Sequence, residues 1–393
     1  MVDTTPADGP LGGIRVIDMT NVIMGPFATH VLADFGADVI KIESPEGDSF
    51  RGYFPNRNAG MSGSFLHLNR NKRSVVLDLT KSSDCRALAA LIRTADVFVH
   101  SLRPKSIEKL GFGYEAVRTI KPDIIYCGAY GFGQKGPYRD KAAYDDVIQA
   151  GSGIAALHVH SRGEPAFVPT ALCDKLSGQA VASAILAALC QRERGGGGQA
   201  IEVPMFETTV EFTYIEHFMG FAFEPPLGPP GFQRIMSATR RPFRSQDGFV
   251  CILPYSDRNW RDFFEFVGRD DLKTDRRFHR LSERVLHVEF LYNLIAAEAP
   301  KRTTGEWVEF CDRKSIPCMP VLTLSDLPDD EHLKAVQLFG QETHPSEGTY
   351  KTIRSPVSFS SSDFRIRRHA PTLGEHTSEI LREIGIEECS QAI

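Results

Sequence analysis

An α/β enzyme built from two domains is the fold this sequence predicts. The first third alternates short apolar strands with amphipathic helices, the pattern of a mostly parallel sheet. Near residue 220 the texture changes to Glu224-Pro-Pro-Leu-Gly-Pro-Pro-Gly231, too rich in Pro and Gly for a helix or central strand, so it reads as a linker. A length of 393 residues also exceeds what a single core ordinarily serves.

In order, Ile14 to Asp18 is an apolar strand, Pro26 to Phe35 an amphipathic helix and Ala37 to Glu43 the next strand, which together make one βαβ unit. Ser74 to Asp78, Ser82 to Thr94 and Asp96 to His100 repeat it, with Leu88, Leu91 and Ile92 on one helix face. Ser106 to Leu110 and Tyr114 to Ile120 read as helices, and Asp123 to Cys127 as a strand entering the loop Gly128 to Gly136. A long helix is expected over Lys175 to Arg192, closed by Gly195 to Gly198, before a strand over Gln199 to Val203. Beyond the linker, Asp247-Gly248 signals a turn between the apolar strands of Phe243 to Leu253, and helices follow at Trp260 to Val267 and Leu286 to Glu298. Ile316 to Val321, an extended Ser- and Arg-rich stretch, and a helix over Glu375 to Ile384 complete the chain.

Composition narrows the function. With 45 basic against 50 acidic side chains and a net charge of -5, no electrostatic nucleic-acid partner is expected. The eight cysteines are scattered without a Cys-x-x-Cys pair, so neither a zinc site nor a redox motif is expected and a reducing cytosol fits. The polar opening Val2-Asp-Thr-Thr-Pro6 is no secretory signal. Apolar stretches such as Ala180 to Cys190, interrupted by Ser183, fall short of the roughly 20 residues that span a bilayer. A cytoplasmic protein with no membrane partner is the expectation.

The common cofactor motifs fail one by one. Glu43 sits where a carboxylate would hold a ribose hydroxyl, but the turn after Asp18 carries one glycine, Gly25, where a dinucleotide fingerprint needs three. Gly195 to Gly198 lacks the Gly-Lys-Ser/Thr ending of a phosphate loop and reads as a helix-to-strand turn. His158 and His160 would share one face of a half-exposed strand, with no third metal ligand at a recognisable spacing. There is no Gly-x-Ser-x-Gly elbow for serine hydrolysis.

At Leu11-Gly-Gly-Ile-Arg-Val-Ile-Asp18, Gly25-Pro26 and Leu32 to Glu43 the chain resembles the class III CoA-transferases, the family of formyl-CoA transferase and carnitine CoA-transferase. The likeness continues through Asn69 to Leu79, Ala95 to Pro104, Gly111-Phe-Gly113, Gly131 to Pro137, Tyr144 to Gly153, Gly198-Gln199 and Leu373 to Thr377, in order and spacing. It implies a Rossmann-like large domain over 1–215 with a return over 326–393, a small α+β domain over 225–325, and an intertwined homodimer.

The resemblance also places the family's nucleophile, an aspartate about thirty residues beyond a Tyr-Asp pair, at Asp174 in Pro169-Thr-Ala-Leu-Cys-Asp-Lys175. An Asp there would equally cap the helix expected from Lys175, and the two roles are compatible, since a helix N-terminus favours the ionised carboxylate. The activity implied is acyl-CoA:carboxylate CoA transfer through a mixed anhydride and an aspartyl-CoA thioester, with acyl-CoA and a small carboxylic acid as substrates. No permanent cofactor and no metal are implied. Tyr144 and Asp145 would line the site. Backbone at Val22 and Met24 would meet the pantetheine, Leu77, Leu79, Ser101 and Leu102 the adenine, and Arg103 and Lys109 the phosphates, although a surface cation is the ordinary fate of either.

Two alternatives stand beside it. The α-methylacyl-CoA racemases of the same fold place a histidine where Tyr144 stands, and tyrosine, with its ordinary pKa of about 10, is a poor partner for α-proton exchange near neutrality. The other is a CoA-binding protein without chemistry, against which an Asp at 174 argues. Ile23, where formyl-CoA transferases carry glutamine, and Gln233 to Thr239, in place of their glycine-rich loop, speak against an oxalate-specific enzyme. Arg234, Arg240, Arg241 and Arg244 would meet a second carboxylate or form a solvated surface.

Overall fold

The computed structural model describes residues 9–386; Val2 to Pro6 and Cys389 lie outside them. From the amino end run β1 (Arg15–Met19), α1 (Met24–Asp34), β2 (Asp38–Glu43), α2 (Gly63–Leu68), β3 (Lys72–Val76), α3 (Ser82–Arg93), β4 (Val97–His100), α4 (Pro104–Lys109), α5 (Tyr114–Ile120) and β5 (Ile125–Tyr130). Then come α6 (Asp145–Gly151), α7 (Ile154–Leu157), α8 (Val159–Arg162), α9 (Leu172–Gln191), β6 (Gln199–Pro204) and α10 (Met205–Tyr214). The remainder comprises α11 (Gln233–Met236), β7 (Phe243–Arg244), β8 (Phe249–Ile252), α12 (Asp257–Phe266), α13 (Leu281–Leu286), α14 (Val288–Glu298), α15 (Thr304–Lys314), β9 (Cys318–Pro320), α16 (Glu331–Ala335), β10 (Phe339–His344), β11 (Gly348–Ile353) and α17 (Thr377–Glu383).

The chain divides into two compact units. Among the described residues one holds 9–152, 168–212 and 334–386, and the other holds 153–167 and 213–333. The first is organised by a six-stranded sheet in the order β3-β2-β1-β4-β5-β6, every pairing parallel. Its inner strands are buried along most of their length, as strands covered on both faces must be. Ala87, Leu88, Leu91 and Ile92 of α3 bury their side chains in a core shared with Ile17, Ile40, Phe98 and Ile380. The window Leu172–Gly196 is long and apolar enough by composition to cross a bilayer, but half of it is buried inside the unit. There α9 packs on α1, and Gly178 lets the helices meet, since a Cβ would come within 2.6 Å of the Met24 carbonyl oxygen.

The second unit surrounds an aromatic core of Phe243, Trp260, Phe263, Phe264 and Trp307. Its three-stranded sheet, β7-β8-β9, is antiparallel, with Asp247 and Gly248 in the turn between the first two strands. Capping boxes start α12 (Ser256 with Asn259) and α15 (Thr303 with Glu306).

Several local expectations are corrected. His160 lies in the short helical turn α8 and His158 is the residue that joins it to α7, between Gly153 and Gly163, both at positive φ, and neither is on a strand. The Ser- and Arg-rich region after Val321 contains the hairpin β10-β11. Residues 224–231 fall inside the longer stretch of the second unit, 213–333. The helix expected from Lys175 starts three residues earlier, so Asp174 lies inside its first turn and Ala171 takes the cap position.

Charged groups are buried along β1 to β3. Lys72 Nζ donates to Asp18 Oδ2 (3.1 Å), Thr29 Oγ1 (2.8 Å), Asn69 Oδ1 (2.9 Å) and the Pro26 carbonyl (3.1 Å). Lys41 pairs with Asp48 at 2.9 Å, with no solvent exposure of either side chain. Glu43 is gripped by both Arg51 Nε and Nη2 (2.7 Å each) and by Ser74 Oγ (2.6 Å), which occupies the carboxylate that a ribose would need. Lys72→Met should destabilise the protein by about 3–5 kcal/mol by stranding the Asp18 charge, and Asp18→Asn added to it should recover much of that loss. Urea denaturation followed by circular dichroism measures both; a double variant less stable than the single one would refute the coupling.

Candidate active site

The order of the sheet reverses between β1 and β4, and in such sheets ligands bind beyond the carboxyl ends of the strands at that point. The loops after β1, β4 and β5 converge there around a cavity of about 270 Å³. Asn21, Val22 and Met24 come from the first loop and α1, Ser101, Leu102 and Arg103 from the second, and Gly131 and Lys141 to Tyr144 from the third. Asp174, from the first turn of α9, lies on the same wall.

A second cavity of about 370 Å³ is lined by Leu77, Leu79, Glu46, Asp78 and Leu110, and its wall shares Asn21 and Leu102 with the first. The structure therefore brings Asp174, Tyr144, Val22, Met24, Ser101, Leu102 and Arg103 together, with Leu77 and Leu79 next door. Lys109 is exposed on α4 and lines neither cavity. A larger hollow of about 580 Å³ lined by Tyr114, Tyr126, Tyr130 and Glu202 does not include Asp174, and volume alone does not make it the reaction site.

Asp145 behaves differently from Tyr144. Tyr144 is 68% exposed over the cavity, whereas Asp145 is buried at the start of α6 and lines neither cavity. Its Oδ1 accepts the Asp174 backbone N–H at 3.0 Å, and its Oδ2 accepts Gln149 Nε2 at 2.6 Å. Gln149 Oε1 in turn accepts the Val168 N–H at 2.8 Å. Asp145 thus ties α6 to the first turn of α9 and fixes where Asp174 sits. Gln149 is legible in retrospect, since a residue four along a helix from Asp145 shares its face. Lys141, three residues before Tyr144, has no such signal.

The electrostatics reverse the expectation from the helix terminus. Burial, followed by the nearby Asp145 charge, pushes the Asp174 carboxyl up from 3.8 to about 6, against a lowering by Lys175. A first-turn dipole is worth a fraction of the penalty for desolvating a carboxylate beside another acid. At neutral pH Asp174 is still mostly ionised, but poorly solvated, the state in which a carboxylate is most nucleophilic. Among the described residues no cluster of His, Cys, Asp and Glu side chains could hold a metal ion.

With this geometry in view, comparison with known proteins is informative. A family model described as CoA-transferase family III matches residues 11–377. Succinate–glutarate CoA-transferase of Agrobacterium fabrum is 31% identical over 98% of this chain and 98% of its own length. A formyl-CoA:oxalate CoA-transferase of Rhodopseudomonas palustris is 30% identical, covering 95% and 93%. The crystal structure of an aspartate-to-alanine variant of Rv3272 from Mycobacterium tuberculosis superposes with a TM-score of 0.84 at 29% identity, over 95% of this chain and 99% of that one.

The raised carboxyl makes a prediction about stability. Below about pH 3, well under the ordinary carboxyl value of 3.8, Asp174 is protonated in folded and unfolded chains alike, so Asp174→Asn should match wild type. As pH rises through about 6 the folded wild type takes on a disfavoured charge and the variant does not. A gain of about 2–3 kcal/mol for Asp174→Asn is expected at pH 8, readable in urea midpoints across pH. A pH-independent difference would refute the buried-charge account.

Proposed function

The chain belongs to CoA-transferase family III, and on that premise we propose that it moves CoA from a donor acyl-CoA to an acceptor carboxylic acid through covalent intermediates on Asp174. One observation carries the reading. A carboxylate with its pKa pushed up to about 6 stands on the wall of the cavity formed by Val22, Met24 and Ser101 to Arg103.

In the proposed reaction the Asp174 carboxylate attacks the thioester carbonyl, the C–S bond breaks, and CoA leaves as thiolate from a mixed anhydride. The thiolate then attacks the Asp174 carbonyl, releasing the donor acid and leaving an aspartyl-CoA thioester. An acceptor carboxylate runs the two steps in reverse on its own acyl group. Each step exchanges one activated acyl bond for another, so no ATP is consumed. Water has to be excluded, because hydrolysis of either intermediate loses the activation. Asp145 acts as the holder of Asp174 rather than as a proton donor, because both of its oxygens already accept hydrogen bonds.

The CoA arm is assigned to Val22 and Met24, the adenine to the neighbouring cavity at Leu77 and Leu79, and phosphates to Arg103, a donor suited to them. Four- and five-carbon dicarboxylates are the proposed acids, on the likeness to the succinate–glutarate relative, and Lys141 and Arg103 are the cations lining the cavity. Among the described residues no histidine lines it, which disfavours α-proton exchange. A homodimer belongs to the same reading and is supported by the large apolar side chains Ile215, Phe218, Phe221, Phe223 and Leu227, exposed in the second unit. Sedimentation should show two copies.

Wild type and Asp174→Ala, incubated with succinyl-CoA and a panel including glutarate, carbon-13-labelled succinate and oxalate, test the reading by mass spectrometry of new CoA thioesters. Acceptor-dependent product from wild type alone is the expected result. Deuterium exchange at the α-carbon of a 2-methylacyl-CoA, without any acceptor product, would replace transfer by racemisation. A second expectation concerns pH: kcat/KM should rise tenfold per unit below about pH 6 and level off above it, as Asp174 ionises. A flat profile from pH 5 to 7 would place the titrating nucleophile elsewhere.

A further inference from the structure

Val22 is held in an unusual conformation. Its φ is +68°, in the left-handed region that a β-branched side chain adopts only under constraint. The residues on either side show what constrains it. Thr20 donates its N–H to Asp18 Oδ1 (3.1 Å), and its carbonyl accepts Lys41 Nζ (2.7 Å). Asn21 donates its N–H to Ser101 Oγ (3.2 Å). The Val22 N–H goes to Asp48 Oδ1 at 3.1 Å.

Asp48 is itself immobilised. The same Oδ1 accepts the Phe50 N–H (2.9 Å), the Asp48 N–H goes to Glu43 Oε2 (3.0 Å), and the carboxylate pairs with Lys41, with neither side chain exposed. A buried ion pair that leads nowhere is poor economy for stability, because desolvation cancels most of the attraction. Here the pair ends on two backbone N–H groups, that of Phe50 and that of a strained residue on the wall of Asp174's cavity.

We propose that Asp48 is a positioning residue, holding Val22 in the left-handed conformation that shapes the CoA-binding wall beside Asp174. The proposal rests on the reading of this cavity as the CoA site. Freed from Asp48, Val22 relaxes toward extended backbone, and the binding-competent loop becomes a minor state. CoA then binds only to that fraction, so its apparent Kd rises in proportion. Glycine has no Cβ and adopts positive φ without being held.

The experiment is a double-variant cycle on the full-length chain: wild type, Asp48→Ala, Val22→Gly and the combination. CoA binding is measured by calorimetry, acyl transfer by steady-state kinetics, and folding by circular dichroism and Tm. In the wild-type background Asp48→Ala should raise the CoA Kd and the acyl-CoA KM together by about tenfold, with kcat within about threefold. In the Val22→Gly background the same substitution should raise them by less than about threefold. A tenfold effect that persists beside Val22→Gly would mark Asp48 as structural only and overturn the proposal, as would an unchanged Kd in Asp48→Ala. Should Asp48→Ala fail to fold, Asp48→Ser, whose shorter side chain withdraws the acceptor but stays polar, takes its place in the cycle. A wild type that binds CoA but transfers no acyl group would defeat the functional reading while leaving the binding cycle decisive.

Discussion

Everything near the candidate cavity hangs on charges buried along β1, β2 and β3. Burial alone would raise the Asp18 carboxyl, and the ammonium groups of Lys72 and Lys41, with the Thr20 and Thr29 hydroxyls, outweigh it and hold it ionised. Burial likewise opposes the Lys41 charge, and Asp18, Asp48 and Glu43 overcome it. Such a network contributes little net stability and is intolerant of losing one member. Its effect is geometric. The loop after β1 is held to Asp18, Lys41 and Asp48, and that loop delivers Val22 and Met24 to the cavity.

The site itself runs the opposite policy. Where the network pairs every acid with a cation, Asp174 is set beside Asp145, another acid, and buried. The first arrangement fixes shape; the second raises the free energy of one carboxylate and so its reactivity. Asp145 serves both ends, since the oxygen that accepts the Asp174 N–H brings with it the charge that disfavours ionisation of the Asp174 side chain. Natural active sites commonly give up stability in this way, and the rigid α1–α9 packing beneath supports the strained arrangement.

Legibility in the sequence followed the strength of the local signal. The strands from Arg15 to Tyr130 are buried and most are rich in apolar residues, so they stand out with ends within a few residues of expectation, β3 beginning two residues earlier than expected because its charged Lys72 and Arg73 do not read as strand. The hairpin of Phe339–His344 with Gly348–Ile353 was hidden because Gln341, Glu342, Thr349 and Lys351 leave too few apolar residues to alternate. The early start of α9 escaped for a related reason: Ala171 has no capping side chain, so the cap falls three residues before the aspartate that resembles one. Lys109, placed at the phosphates by the resemblance, is exposed on α4, whose buried residue is Ile107.

By itself the sequence determined the parallel α/β architecture of the first unit, through strand and helix periodicities, and the family, through ordered blocks that single out Asp174. What it left undecided depends on contacts between residues far apart in the chain. Asp145 reaches the Asp174 N–H across 29 positions, and Asp48 reaches Val22 across 26. No periodicity encodes those meetings, because they arise only when separate strands end side by side. The raised pKa of Asp174 and the left-handed turn at Val22 are therefore properties of the tertiary structure: both depend on burial and on which charges share it, and the chain acquires these only on folding.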